Sequence, residues 1–330
     1  MKANNDKKAV ISSEASLRKE RNRENFIRYG VVVGILILVI LFSVTTTTFF
    51  RTNNFMNILT AVSINAFLAI GMMMVITTCG IDLSVGSNVA LSSILCALLL
   101  QHTGSVSLTL IATVLTGAFI GMINGLAVAY TSVPPFIVTL AMQTIGRGVT
   151  LIISEGFPIN ARNDIMNFVG RGNILGIPTS VVILVFVTAI SFVVLNRTKI
   201  GRYIYAIGGN IETTRLSGIK VGRYITFAYI YIGIMAGIVA FIMTGRLASA
   251  TPTIGVGWEL DAVAAAVLGG TAFTGGVGTV GGALLGALFI GILNNGMTLL
   301  GISPFVQNVL KGLVIFGAVL ISVQSSKRRK

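Results

Sequence analysis

The chain has 330 residues, of which 54% are hydrophobic and 10% charged, at a mean hydropathy of +0.90. Soluble domains carry about 25% charged residues, so this composition excludes an ordinary water-soluble globule and implies an integral membrane protein. The net charge of +14 does not imply a nucleic-acid partner, because the basic residues cluster at the two ends and in one central loop, without aromatic residues interleaved for base stacking.

Residues 1–28 read as a basic N-terminal tail. The first apolar run, 29–50, is uncharged between Arg28 and Arg51. About 20 such residues cross a bilayer, and no small-residue cleavage site follows, so the run is a retained span rather than a signal peptide. Further apolar spans fall at 57–78, 84–101, 106–130, 134–153, 178–195, 224–245, 260–275, 279–300 and 304–323. The predicted fold class is therefore an all-α integral membrane protein of about ten transmembrane helices, with residues 29–323 as one permeation-type domain. The short pieces 84–101 and 260–275 are predicted to be tilted, broken or re-entrant.

Basic residues accumulate in cytoplasmic loops. Eight precede Tyr29, six lie in 196–224, and four form the end of the basic tail 324–330. An even number of spans returns the C-terminus to the side of the N-terminus, and the same count places the loop 196–223 there too. Both termini and this loop are expected to be cytoplasmic. The segment 154–177 is expected outside, as is a second segment near 246–258 that ends at Trp258, whose ring would suit a membrane interface.

Glycines recur four residues apart within spans: Gly117, Gly121 and Gly125; Gly233 and Gly237; Gly278, Gly282 and Gly286. Small residues at this spacing make a flat stripe that another helix can approach closely. The sequence leaves open whether that helix lies in the same chain or in a second copy. Two glycine-rich breaks, "CGIDLSVGSNVAL" (79–91) and "VLGGTAFTGGVGTVGGALLG" (267–286), interrupt apolar runs. Interrupted helices at corresponding places in two halves are a transporter habit, and exposed backbone at membrane depth is tolerated only inside protein or beside water.

Polar side chains inside spans are the candidates for a solute path: Asn65, Asp82, Asn124, Arg147, Asn294 and Asn295, with Gln143, Asp261 and Lys311 as further polar residues in or beside spans. Amides commonly bridge helices. Asp82 and Arg147 point instead to a polar cavity or a specific ion pair, because charge in a membrane is costly. Cys79 and Cys96 read as small core residues. One histidine and no cysteine cluster leave a metal site nothing to build on. Neither a histidine–serine pair nor a Gly-Lys-Ser/Thr phosphate loop is present, so the chain is expected to bind no cofactor, and any ATP and Mg would sit on another subunit.

The stretch "NRTKIGRYIYAIGGNIETTRLSGIKVGRY" (196–224) interrupts this apolar sequence. Gly208 and Gly209 are expected to end any helix continuing from the sixth span. Asn210 is a good N-cap and Glu212 falls in the first turn. Ile211 to Ser217 then makes about two turns, roughly 10 Å long, and Gly218 supplies the stop. So short a helix needs a packing partner to persist.

Glu212, Thr213 and Thr214, followed three residues later by Gly218, resemble the Glu-Ala-Ala-x-x-x-Gly loop of permease subunits of ATP-binding-cassette importers, with threonines at both alanine positions and without the Ile-x-Leu-Pro ending. "GIDLSVGS" (80–87), "GRYIYAIGGN" (201–210), "ELDAVAAAVLGGT" (259–271) and "GILNNGMTLLGIS" (291–303) together resemble the ribose-type monosaccharide permeases. The resemblance runs from about residue 29 to 323. It implies a pore of two permease copies, an external sugar-binding protein, and ATPase subunits docked on a cytoplasmic coupling helix. Asn210, Glu212, Thr213, Thr214, Arg215 and Gly218 are then the coupling residues.

Overall fold

The computed structural model describes residues 30–327. The predicted tail 1–28, the start of the first span at Tyr29 and the last three basic residues lie outside the described residues. Helix α1 (Gly30–Thr45) turns into α2 (Thr52–Thr77), and a non-helical stretch leads to α3 (Val85–Thr103). Helices α4 (Val106–Tyr130) and α5 (Pro135–Ser154) follow. A surface segment then holds β1 (Ile159–Asn160), α6 (Asp164–Arg171), β2 (Asn173–Ile174) and β3 (Ile177–Pro178). Helix α7 (Thr179–Arg197) leads to two short helices, α8 (Lys199–Gly209) and α9 (Ile211–Leu216). The chain closes with α10 (Val221–Leu247), β4 (Ser249–Ala250), α11 (Trp258–Leu268), α12 (Val280–Leu299) and α13 (Pro304–Lys327).

Seven of these helices, α2, α3, α4, α5, α7, α10 and α12, are long and apolar enough to cross a membrane. The predicted span 260–275 is not a full helix. Gly269 and Gly270 end α11 after 11 residues, and Gly270 has φ +92°. At ~1.5 Å per residue α11 is about 16 Å long, half a hydrocarbon core. The chain still passes from one end of the bundle to the other here. Helix α10, about 40 Å long, starts beside α8, where the Tyr224 and Tyr203 rings meet edge to face, and ends at β4. Beyond α11, Gly276 N–H donates to Thr77 O (2.9 Å), back at the α8 end. The turns of residues 252–257 and α11 therefore share one traverse.

Helix α2 occupies the centre. Its sequence from Ala66 to Ile76 is apolar on every side, and Met72, Met73 and Met74 are fully buried. A helix hydrophobic all round belongs in an interior, and α10, α11, α12 and α7 surround it. Trp258 is half-buried and packs against this core. Helices α5 and α13 lie at the periphery with large apolar side chains such as Phe136, Ile152, Phe305 and Leu313 exposed, as suits contact with lipid tails.

The glycine stripes are used within the chain. A Cβ on Gly117 would meet Gly233 O and Gly237, one on Gly121 would meet Tyr229 O, and one on Gly125 would meet Thr226. Helices α4 and α10 thus touch backbone to backbone. On α12, Gly282 meets Gly269 O and Gly286 meets Ala265 O, which seats α11.

At the end away from α9, β1 pairs antiparallel with β4, Ile159 opposite Ala250 and Asn160 opposite Ser249. Gln101 Nε2 donates to Asn160 O (2.8 Å), and Arg171 Nε donates to Arg246 O. The two segments predicted on the outside are joined to each other and to the end of α3.

Candidate functional site

The first break, Thr78–Ser84, is a largely buried loop held from three sides. Asp82 Oδ1 accepts from Ser84 N–H (2.8 Å) and Ser84 Oγ (2.6 Å), which ties it to the start of α3. An anion there is favoured by the helix dipole. Asn124 on α4 donates to Ser84 Oγ (2.7 Å) and reaches Asp82 at 3.5 Å. Ile81 O accepts from Tyr229 on α10 and Thr139 on α5, both at 3.2 Å. Asp82 and Asn124 are buried, and Asn124 Oδ1 has no partner among the described residues. Of the two expectations for Asp82, a polar cavity or an ion pair, no ion pair is seen among the described residues, since its neighbours are a serine and an amide. Asp82→Ala frees the Ser84 amide and hydroxyl, a cost of about 1–3 kcal/mol. Thermal melting of the detergent-solubilised protein is expected at a lower temperature, and an unchanged Tm would mean the loop holds without the carboxylate.

The second traverse is held by α5. Arg147 Nη1 donates to Pro252 O (2.6 Å) and Ile254 O (3.0 Å), and Gln143 Nε2 donates to Glu259 Oε1 (3.0 Å). Arg147 thus grips backbone carbonyls rather than a carboxylate. Gly86 and Gly255 meet with no side chain between them, so the starts of α3 and α11 lie side by side inside the bundle.

A third cluster joins α11, α12 and α13. Lys311 Nζ donates to Asp261 Oδ2 (3.0 Å), and Asn294 Nδ2 donates to the same oxygen (3.2 Å). Asp261 Oδ1 and Asn294 Oδ1 have no partner among the described residues. Asn295 pairs reciprocally with Asn54 on α2, at 2.9 and 3.1 Å. Asn65 lies half-buried on α2, outside these clusters. The candidates therefore separate into three groups plus Asn65. The sequence reading missed Asn54, Glu259 and Tyr229. Asn54 stands near the start of its helix and shows no periodic signal. Glu259 sits in the quoted motif 259–271 and was legible there.

The segment 199–218 forms two helices. Helix α8 was not expected: the chain breaks after the α7 span at Thr198, whose hydroxyl accepts from Ile200 N–H (3.1 Å), and Gly208 and Gly209 end α8 instead. Ile200, Ile204 and Ile207 recur at helical spacing and turn inward, a signal overshadowed by the basic residues around it. Helix α9 follows the sequence pattern. Asn210 Oδ1 accepts from Thr213 N–H (2.9 Å), Thr214 Oγ1 donates to Asn210 O (2.8 Å), and Gly218 turns the chain at φ +79°. Glu212 and Arg215 pair at 2.8 Å on the exposed surface, and Leu216 is 87% exposed beside them.

Cys96 is buried, but Cys79 is exposed, contrary to its reading as a core residue. It takes φ +64° in the turn that leaves α2. The clusters offer hydrogen-bond donors and acceptors.

Residues 54–319 match the family described as the permease component of branched-chain amino acid transport systems. The chain is similar to the ribose import permease of Escherichia coli (strain K12), 43% identical over 294 residues, covering 88% of this chain and 92% of the relative. It is 44% identical to the ribose import permease of Bacillus subtilis (strain 168) over 301 residues, covering 91% and 94%. The D-allose transport system permease of Escherichia coli (strain K12) is 36% identical over 321 residues, covering 96% and 98%. No solved structure matches the chain.

Proposed function

Because the chain belongs to the family of transport-system permease components matched over residues 54–319, we propose that it is the membrane subunit of an ATP-driven importer for ribose or a similar monosaccharide. The carrying observation is the identity of 42–44% to ribose import permeases over about nine-tenths of the chain. The similarity to a D-allose permease supports a second reading, a different pentose or hexose, on the same machinery. The chain is a multi-pass protein of the inner membrane and a transport subunit rather than an enzyme.

In this reading residues 29–323 form ten passes, one of them the loop-and-helix traverse 251–268, with the tails 1–28 and 324–330 and the loop 196–223 cytoplasmic. A partner ATPase carries ATP and Mg and docks on α9. The exposed Leu216 beside the Glu212–Arg215 pair supports that role, since a six-residue helix presenting apolar surface needs something to cover it. An extracytoplasmic sugar-binding protein delivers solute to the end bearing β1 and β4, and a second permease copy completes the pore. Asp82, Asn124, Arg147, Asn294, Asn295 and Asn65 are the candidates for lining it.

The test is uptake of labelled ribose by cells lacking this gene, with and without its restoration, against a panel of unlabelled sugars. Restored, saturable, ATP-dependent uptake competed best by ribose supports the reading. Uptake of another sugar alone keeps the transporter and replaces the substrate. Gly218→Pro, which forces φ to about −65° where the turn has +79°, is expected to cut uptake by about tenfold with the protein still inserted. Glu212→Ala is expected to act in the same direction. Parental uptake and stimulated ATP hydrolysis in both variants would remove α9 as the dock.

A further inference from the structure

Both breaks meet the end of α8 at one point. Gly208 sits directly against Thr77 O and Gly276 N, so closely that a Cβ there would collide with backbone on both sides. Gly276 N–H donates to Thr77 O (2.9 Å), linking the end of α2 to the turn before α12. Tyr205, one turn earlier on α8, donates its hydroxyl to Gly278 O (2.8 Å). Burial pushes the Tyr205 phenol up, so it stays a donor. The Cys79 thiol reaches Thr274 O (3.1 Å) and Gly208 O (3.7 Å). The residue after Gly209 is Asn210, the cap of α9.

From this geometry we infer that Gly208, Tyr205 and Cys79 are positioning residues that carry a displacement of α9 into both breaks at once. The inference rests on α9 being the ATPase dock. Contact between backbones leaves no flexible side chain to absorb movement. If α8 shifts, Thr77 and Gly276 must follow or the junction must open. Thr77 leads through residues 78–82 to Asp82, and Gly276 leads back through 269–275 to α11 and Asp261. The two polar clusters thereby share one input, although they stand in different halves of the chain.

Cys79 reports on this junction because it is exposed there, and buried Cys96 is the internal reference. The complete permease–ATPase complex in proteoliposomes is treated with N-ethylmaleimide, without nucleotide and trapped with ATP and vanadate, and the modified peptide is quantified by mass spectrometry. The Cys79 rate is expected to differ about fivefold or more between the two states, the lower end of ordinary coupling factors. Equal rates in a complex that transports solute overturn the relay.

Tyr205→Phe removes only the bond to Gly278 and is expected to raise ATP hydrolysed per solute imported, within a range of about 2- to 30-fold. Gly208→Ala is expected to have the larger effect on the same ratio. A purely structural role would lower the amount of complex and leave the ratio per complex unchanged, which also overturns the proposal. If Gly208→Ala does not assemble, Tyr205→Phe and the labelling decide. A parental complex that imports no solute is a different failure: it removes the importer reading and the relay with it.

Discussion

Lys311→Met is expected to destabilise the solubilised permease by about 3–5 kcal/mol, the usual cost of stranding one member of a buried ion pair. Lys311 and Asp261 are both largely shielded, and the carboxylate would be left with Asn294 as its remaining partner. The double variant Asp261→Asn/Lys311→Met removes both charges while keeping an acceptor for Asn294. It is expected to recover most of the loss, because a neutral replacement for a buried pair is often nearly neutral in stability. Thermal melting of the two single variants, the double variant and the parent completes a cycle. A Lys311→Met protein that melts with the parent, or a double variant that loses the sum of the singles, would show that the pair is not a stabilising contact between α11 and α13.

The second large effect is expected at the α4–α10 contact. In Gly233→Leu the new side chain has to enter where Gly117 O already stands. Overpacking a core costs about 1–3 kcal/mol when side chains can shift, and here only whole helices can. No monodisperse permease is expected on size-exclusion chromatography. Gly148→Leu is the matched control, since nothing lies within 4 Å of a Cβ there, and it is expected to elute as the parent does. Equal behaviour of the two variants would show that the stripe does not set the spacing of α4 and α10.

The helices were legible in the sequence because most apolar runs are bounded by charges, glycines or prolines, and α9 was legible because Asn210, Glu212 and Gly218 stand at the cap, first-turn and stop positions of one short helix. Helix α8 was not, because its apolar face alternates with Lys199 and Arg202 and the basic charge drew attention to topology. The traverse 251–268 defeated a hydropathy reading for another reason. A run of turns and an 11-residue helix together cross the bundle, and no length rule for helices describes such a path.

The candidate site was legible as an inventory and illegible as an arrangement. Asp82 and Asn124 were both singled out, yet their meeting at Ser84 depends on a loop whose shape the sequence does not state. Asn295 was singled out without Asn54, since a reciprocal amide pair across 241 positions leaves no local mark. The spacing of the glycine stripes showed that close approach was needed; only the contacts of Gly117 with Gly233 placed both helices in one chain.

The central position of α2 bears on how the protein is made. The helix most enclosed by others leaves the ribosome among the first, and its long contact with α10 cannot form until Val221 and the residues after it have been synthesised. At about 5–20 residues per second that wait is on the order of ten seconds. For that time the Ala66–Ile76 part of α2 lacks the neighbours α10, α11 and α12 that later enclose it. The apolar surface from Ala66 to Ile76 is thus suited to two successive solvents: acyl chains during biosynthesis, and the side chains of late-arriving helices afterwards.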